Sequence, residues 1–410
     1  MSAVPGLAPT IVRTRAIADP GALSDRLPEE PVLSWIRDGE GIVGWGTTAR
    51  LDLPGTEFAI TAESWWREHC QSLLVDDAVR LPGTGPVAFG SLAFDARTAT
   101  STLVVPRVVL GRHAGRAWLT TFDEAPAAIP PISRPHAPHR VSYADGALTA
   151  TEWTGAVAEA VRRIRAGKLD KVVLARDLLA TTLLPIDVRF LIARLAEHYA
   201  SCFTFSVDGM VGATPELLVR RMGDRIESRV LAGSARRGPG GDDLLRSDKE
   251  RSEHEYAVRS VVDVLAKYCD PLDVPAVPSL LRLPNVVHLA TDVSGTASSD
   301  ATSLALAAAV HPPAAVCGTP TDVALDLIPE LERMDRGRYA GPVGWVDAAG
   351  DGEWGIALRC AEVSDTRVRM FAGCGIVADS DPVRELAETQ DKFVVIRDAL
   401  EAHTVAVPTH

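Results

Sequence analysis

The sequence predicts a layered protein of mixed helix and strand, of the α+β or α/β class, on three observations. Short β-like runs alternate with helical segments along most of the 410 residues. Runs near the C-terminus are joined by a hairpin turn signal. No internal repeat or coiled-coil heptad organises the chain instead. With 46% hydrophobic and 23% charged residues the composition is ordinary for a soluble, enzyme-sized globule, and the length suggests roughly two to three domains.

Taken in order, GIVGWG from Gly41 and TSTLVVPRVVL ending at Leu110 read as strands, with a helix over residues 62–74. Five prolines crowd residues 125–139, a stretch that can be neither helix nor central strand. It places a boundary between an N-terminal half, 1–140, and a larger region, 141–410. A helix over 143–167 leads into the strand DKVVLARD, and a helix over 185–199 follows, then strands over 203–207 and 217–221. Helices are expected over 247–256, within 303–310 and near 321–332. VGWVDAAGDGEWGIALRC carries the turn signal Asp351-Gly352 between alternating strands, and RVRMFAG gives a third strand. In the last helix Asp381 suits the N-cap and Pro382 the first helical position.

Several function classes recede on composition. The formal charge of −12, without a basic stretch, argues against nucleic-acid binding. Six scattered cysteines without CxxC spacing favour buried thiols over disulfides or zinc. The N-terminus lacks a secretory signature and the longest apolar stretch is too short to span a bilayer, so a cytoplasmic protein with no membrane partner is expected. Nothing in the pattern demands association, and a monomer is expected.

Two helical segments far apart in the chain place glutamates on one face. Glu385, Glu388 and Lys392 recur at i, i+3 and i+7. Ser247 and Glu250 form a capping-box pattern, with Glu253 on the stripe of Ala257, Ser260 and Val264. One reading is a divided Mg²⁺ site on Glu253 and Glu388, hard oxygen ligands without His or Cys at metal spacing. The other is a solvated Glu388–Lys392 pair and a helix merely charged at its start.

Lys171, at the entry of the strand DKVVLARD, is either a solvated strand end or a partly desolvated general base. Glu216, after the rigid Pro215, is either a surface residue or a general acid on a stiff backbone. Gly373 and Gly375 are expected after a strand, where backbone N–H groups can receive a carboxylate. Arg359, in the strand IALRC, and Tyr339 are further candidates for holding an anion.

DKVVLARD, ATPELLVRR, LAGSARRG, SDKERSEHEY, VHLATDVSGT, HPPAAVCGTP, GPVGWVDAAGDGEWGIALRC, FAGCGIV and ELAETQDK, in this order, resemble the chorismate-utilising enzymes, and the isochorismate synthases in particular. The resemblance runs from about residue 85 to the C-terminus. It implies a large two-layer α/β fold of intertwined halves, with extended, mostly antiparallel sheets covered by helices. It implies chorismate as substrate, with Lys171 activating a water for attack at C2 and Glu216 protonating the departing C4 hydroxyl. It implies direct Mg²⁺ ligation by Glu253 and Glu388 with support from Glu250 and Glu385. Tyr339, Arg359, Gly375 and Lys392 match positions that bind substrate carboxylates, and His288 lies in a loop lining the pocket. Ala315 stands where the anthranilate and salicylate synthases carry threonine, which sets a pyruvate-releasing lyase as the alternative. No glutaminase subunit is required for the isomerase. Pro313, Thr214 and Val316-Cys317 depart from the family pattern. A siderophore or a menaquinone pathway could consume the product.

Overall fold

The computed structural model describes residues 10–123, 128–236, 241–283 and 286–401. Among them two large sheets, of thirteen and ten strands, lie face to face. Pairing is antiparallel throughout except between Ile11–Ile17 and Leu74–Asp77. Seven α-helices are seen among the described residues: α1 (Phe58–Gln71), α2 (Ala150–Arg165), α3 (Val188–His198), α4 (Asp248–Leu265), α5 (Ser303–Val310), α6 (Thr321–Glu332) and α7 (Pro382–Leu400). α2, α6 and α7 lie against the first sheet, and α4 and α5 against the second.

The main core fills the space between the sheets. Trp35, Phe203 and Phe205 of the first sheet meet Phe89, Trp345 and Trp354 of the second in one buried cluster. Trp35 stacks on Phe203 at 4.8 Å and donates through Nε1 to Glu353 Oε2 across the interface, 2.8 Å. Each such side chain contributes on the order of 1.5–3 kcal/mol by leaving water.

Both sheets draw strands from either side of residue 140. The chain passes between sheets repeatedly, and two of these crossings correct the strand reading, at TSTLVVPRVVL and at IALRC. TSTLVVPRVVL is not one strand: Thr100–Val105 belongs to the second sheet and Val108–His113 to the first. Pro106, unable to donate to a ladder, marks the passage. The chain crosses again through Pro215-Glu216, from Met210–Thr214 to Leu217–Met222, and through 357–359, from Gly352–Ile356 to Cys360–Ser364.

Other boundaries differ for local reasons. α2 begins only at Ala150, because Thr149 and Glu152 form a reciprocal capping box, and Ser142–Asp145 is a strand. The C-terminal hairpin turns at Gly350, φ +81°, rather than at Asp351-Gly352. Asp347 Oδ1 accepts from the Ala349 and Asp351 N–H groups and sets that turn. Asp381 caps α7 through the N–H groups of Val383 and Arg384. Residues 128–139 have no regular structure. All six cysteines are free, five of them buried. No described helix is long and apolar enough to cross a membrane.

Candidate active site

Lys171 opens the strand Lys171–Thr181 and its side chain is fully buried. Its Nζ makes no hydrogen bond and lies 3.3 Å from Glu253 Oε1 of α4. A buried amine with unspent hydrogen-bonding capacity is costly, and a ligand or water at the site offsets that cost. The close approach of α4 depends on the neighbouring strand, Arg367–Ile376, where Gly375 stands opposite Val173. A Cβ on Gly375 would overlap Glu253 Oε1 and come within 3.0 Å of Lys171 Cε. The two glycines of FAGCGIV therefore lie within the strand rather than after it, and Gly375 leaves room for a carboxylate and a lysine.

Glu253 lines a cavity together with Glu216, His288, Ala315, Tyr339, Arg359, Gly373, Gly375, Glu388 and Lys392. Glu216 occupies the crossing between the sheets, so its backbone is held at both ends by β structure. The residue is 4% exposed. Burial pushes its carboxyl up to about 8, against the opposing pull of a Leu231 backbone hydrogen bond and of Lys171, Arg359 and Lys392. At neutral pH Glu216 holds a proton it can deliver.

Arg359 sits in the second crossing, not in a strand, with left-handed backbone at φ +49°. Its Nη2 donates to His288 Nε2 at 3.2 Å. Arginine only donates, so the imidazole proton is on Nδ1, which meets Ser234 Oγ at 2.9 Å. His288 stays neutral: burial, then Arg359 and Lys392, hold its pKa well below 6.5. His288 lies in the strand Val286–Ala297 rather than in a loop, because it pairs there with Ser234 and Leu281. The Ser234 N–H in turn donates to Glu250 Oε2, 3.0 Å, beside a bulge where Gly233 takes φ +77°.

Lys392 and Glu388 form their i, i+4 pair at 2.6 Å, but on the cavity wall rather than in solvent, and Lys392 Nζ also donates to the Gly373 carbonyl at 2.7 Å. Tyr339 is buried and stacks on Phe371 at 4.8 Å. Ala315 borders the cavity beside Val316. Glu250 and Glu385 are not on its wall.

Among the described residues no three His, Cys, Asp or Glu side chains converge closely enough to hold a metal unaided. Glu253 and Glu388 nevertheless give the cavity two hard oxygen donors, and the nitrogens of His288 are engaged elsewhere. These two carboxylates would suit Mg²⁺, a hard cation that takes oxygen ligands.

A family model described as chorismate binding enzyme matches residues 123–401. The chain belongs to the chorismate-binding enzymes. Isochorismate synthase DhbC of Bacillus subtilis is 38% identical over 332 residues, 75% of this chain and 79% of that protein. Isochorismate synthase EntC of Escherichia coli is 34% identical, covering 87% of this chain and 92% of its own. The solved structure of MenF, the menaquinone-specific isochorismate synthase from Escherichia coli, superposes with a TM-score of 0.80 at 25% identity, over 96% of this chain and 95% of that one. Anthranilate synthase component I from Streptococcus pneumoniae, at 18% identity and TM-score 0.62, shares the fold.

Within this family member the structure brings Glu216, Glu253, His288, Ala315, Tyr339, Arg359, Gly375, Glu388 and Lys392 to one cavity, with Lys171 directly behind Glu253. Sequence reasoning missed Ser234 and Arg336, both on the wall. Arg336 follows Glu332 at i+4, the spacing of an ordinary surface pair, and only its burial distinguishes it.

Proposed function

We propose that the chain is an isochorismate synthase, an isomerase acting on chorismate. Arg359 and Lys392 hold the substrate's carboxylates, Tyr339 borders them, and His288 orients the Arg359 guanidinium. Lys171 removes a proton from a water as its oxygen bonds to C2. The ring double bonds shift, and the C4–O bond breaks as Glu216 protonates the leaving hydroxyl, which departs as water. Water enters and water leaves, so the change is a net isomerisation. Glu253 and Glu388 are the residues that would hold Mg²⁺, which when bound supplies positive charge against the ring carboxylate.

The observation that carries this reading is Glu216: a buried carboxyl held up to about 8 on the cavity wall, a proton donor where a leaving hydroxyl needs one. The names of the relatives support the same reaction. The test is product analysis of the purified chain with chorismate, with and without Mg²⁺. Isochorismate without pyruvate is expected, whereas pyruvate with an aromatic acid would make the protein a lyase in spite of Ala315.

A further inference from the structure

The strand that carries Lys171 has an incomplete second edge. One side pairs with Arg367–Ile376 over its whole length beyond Lys171. The other pairs with Gly318–Thr319 only at Lys171 and Val172, and with Ser142–Asp145 only from Leu178 onward. Among the described residues no strand adjoins it on that side from Val173 to Asp177, where the Val173 N–H donates to the Cys317 carbonyl at 2.7 Å and Trp153 Nε1 donates to the Ala175 carbonyl at 3.0 Å. Buried backbone groups need partners, and here they find them outside any ladder.

Glu332 and Arg336 supply the central two. Glu332 Oε1 accepts from the Ala175 N–H at 2.7 Å, and Arg336 Nη2 donates to the Val173 carbonyl at 2.8 Å. Within the pair Arg336 Nε and Nη2 reach the two carboxylate oxygens at 3.0 and 2.6 Å. Arg336 Nη1 donates to the Val316 carbonyl, 2.8 Å, next to Ala315. Both side chains are at most 2% exposed, and the guanidinium lies 4.2 Å from the Phe94 ring centre.

We infer that the Glu332–Arg336 pair acts as a two-residue substitute for a β-strand and is the positioning device that fixes Lys171 relative to the Ala315–Val316 wall. A strand neighbour would offer one acceptor and one donor at this register, and the ion pair offers the same two with its charges neutralised. It also joins the strand bearing the base to the wall that bounds the substrate ring. A lysine in place of Arg336 keeps the charge but cannot reach the carboxylate and two carbonyls together.

The inference rests on the proposed isomerase reaction for its kinetic arm. Arg336→Lys and Glu332→Gln should fold and keep the KM for chorismate within about threefold, while kcat falls roughly 10- to 100-fold, the cost of misplacing a reacting group by about 1 Å. In a Lys171→Ala background the Arg336→Lys change should cost no further rate, because it acts through Lys171. Amide hydrogen exchange at residues 173–177 should quicken in both single variants. Folded variants with wild-type kcat, or losses that simply add to that of Lys171→Ala, would overturn the positioning role. Absence of any turnover by the unmodified chain would instead refute the proposed reaction, and exchange would then decide the inference: unchanged protection at 173–177 ends it.

Discussion

Replacing Glu216 by glutamine should make the protein more stable and far less active, by amounts that depend on pH in a calculable way. Burial raises this carboxyl from an ordinary 4.5 to about 8. Below pH 4.5 it is neutral in both folded and unfolded chains and costs nothing. Between 4.5 and 8 the unfolded chain releases a proton that the folded one retains, so unfolding becomes steadily more favourable as pH rises. At pH 7 the separation from 4.5 corresponds to about 3 kcal/mol, rising to a plateau of about 5 kcal/mol above pH 8. Glutamine has no proton to lose and can still accept the Leu231 N–H. The stability of Glu216→Gln minus that of wild type should therefore grow with pH from 5 to 8, as read from urea unfolding midpoints at several pH values. Turnover of chorismate should fall on the order of 10²- to 10⁴-fold. A stability difference that stays constant across this range would mean that Glu216 ionises like a solvated glutamate, and the assignment of the acid would be lost with it.

The other expectations concern the rest of the cavity. In wild type kcat/KM should decline above about pH 8 as Glu216 loses its proton, and a profile still rising there refutes the acid role. Lys171→Ala should retain its fold yet lose on the order of 10²- to 10⁴-fold in kcat, which a comparison of circular dichroism with turnover checks. Gly375→Ala should abolish turnover by driving the Glu253 carboxylate away from Lys171, while Gly155→Ala, at a helix position with open space around it, should leave turnover unchanged. Chelation of divalent ions should stop turnover and Mg²⁺ should restore it, with Glu388→Gln requiring more Mg²⁺ than wild type; full activity in chelator would remove the metal from the mechanism.

Much of this could be read from the chain because the signals are local. α5 and α6 lie where the helical segments placed them, and Asp381-Pro382 announces the start of α7. Lys171, Glu216, Glu253 and Glu388 sit in short motifs whose residue types alone leave each open between a solvated and a functional reading, and it is the order of the motifs along the chain that favours the functional one. What the chain does not display is which sheet a strand joins. Local propensity reads Thr100–Val105 and Val108–His113 as one run, and only packing separates them. Arg336 escaped for a related reason: spacing cannot distinguish an exposed i, i+4 pair from one at most 2% exposed against a strand edge 157 residues away in sequence. Gly375 is explained only when α4, more than a hundred residues earlier, is seen to reach over it.

The crossings at Pro215-Glu216 and at 357–359 tie the chemistry to the mutual placement of two slabs. Lys171, Gly375 and Lys392 travel with the first, Ser234 and His288 with the second, while Glu216 and Arg359 ride on the hinges between. The reaction rate is thereby a gauge of the gap. Hydrostatic pressure or a substituted tryptophan in the interlayer should alter the rate before it alters overall secondary structure, even where no residue of the cavity itself has been touched.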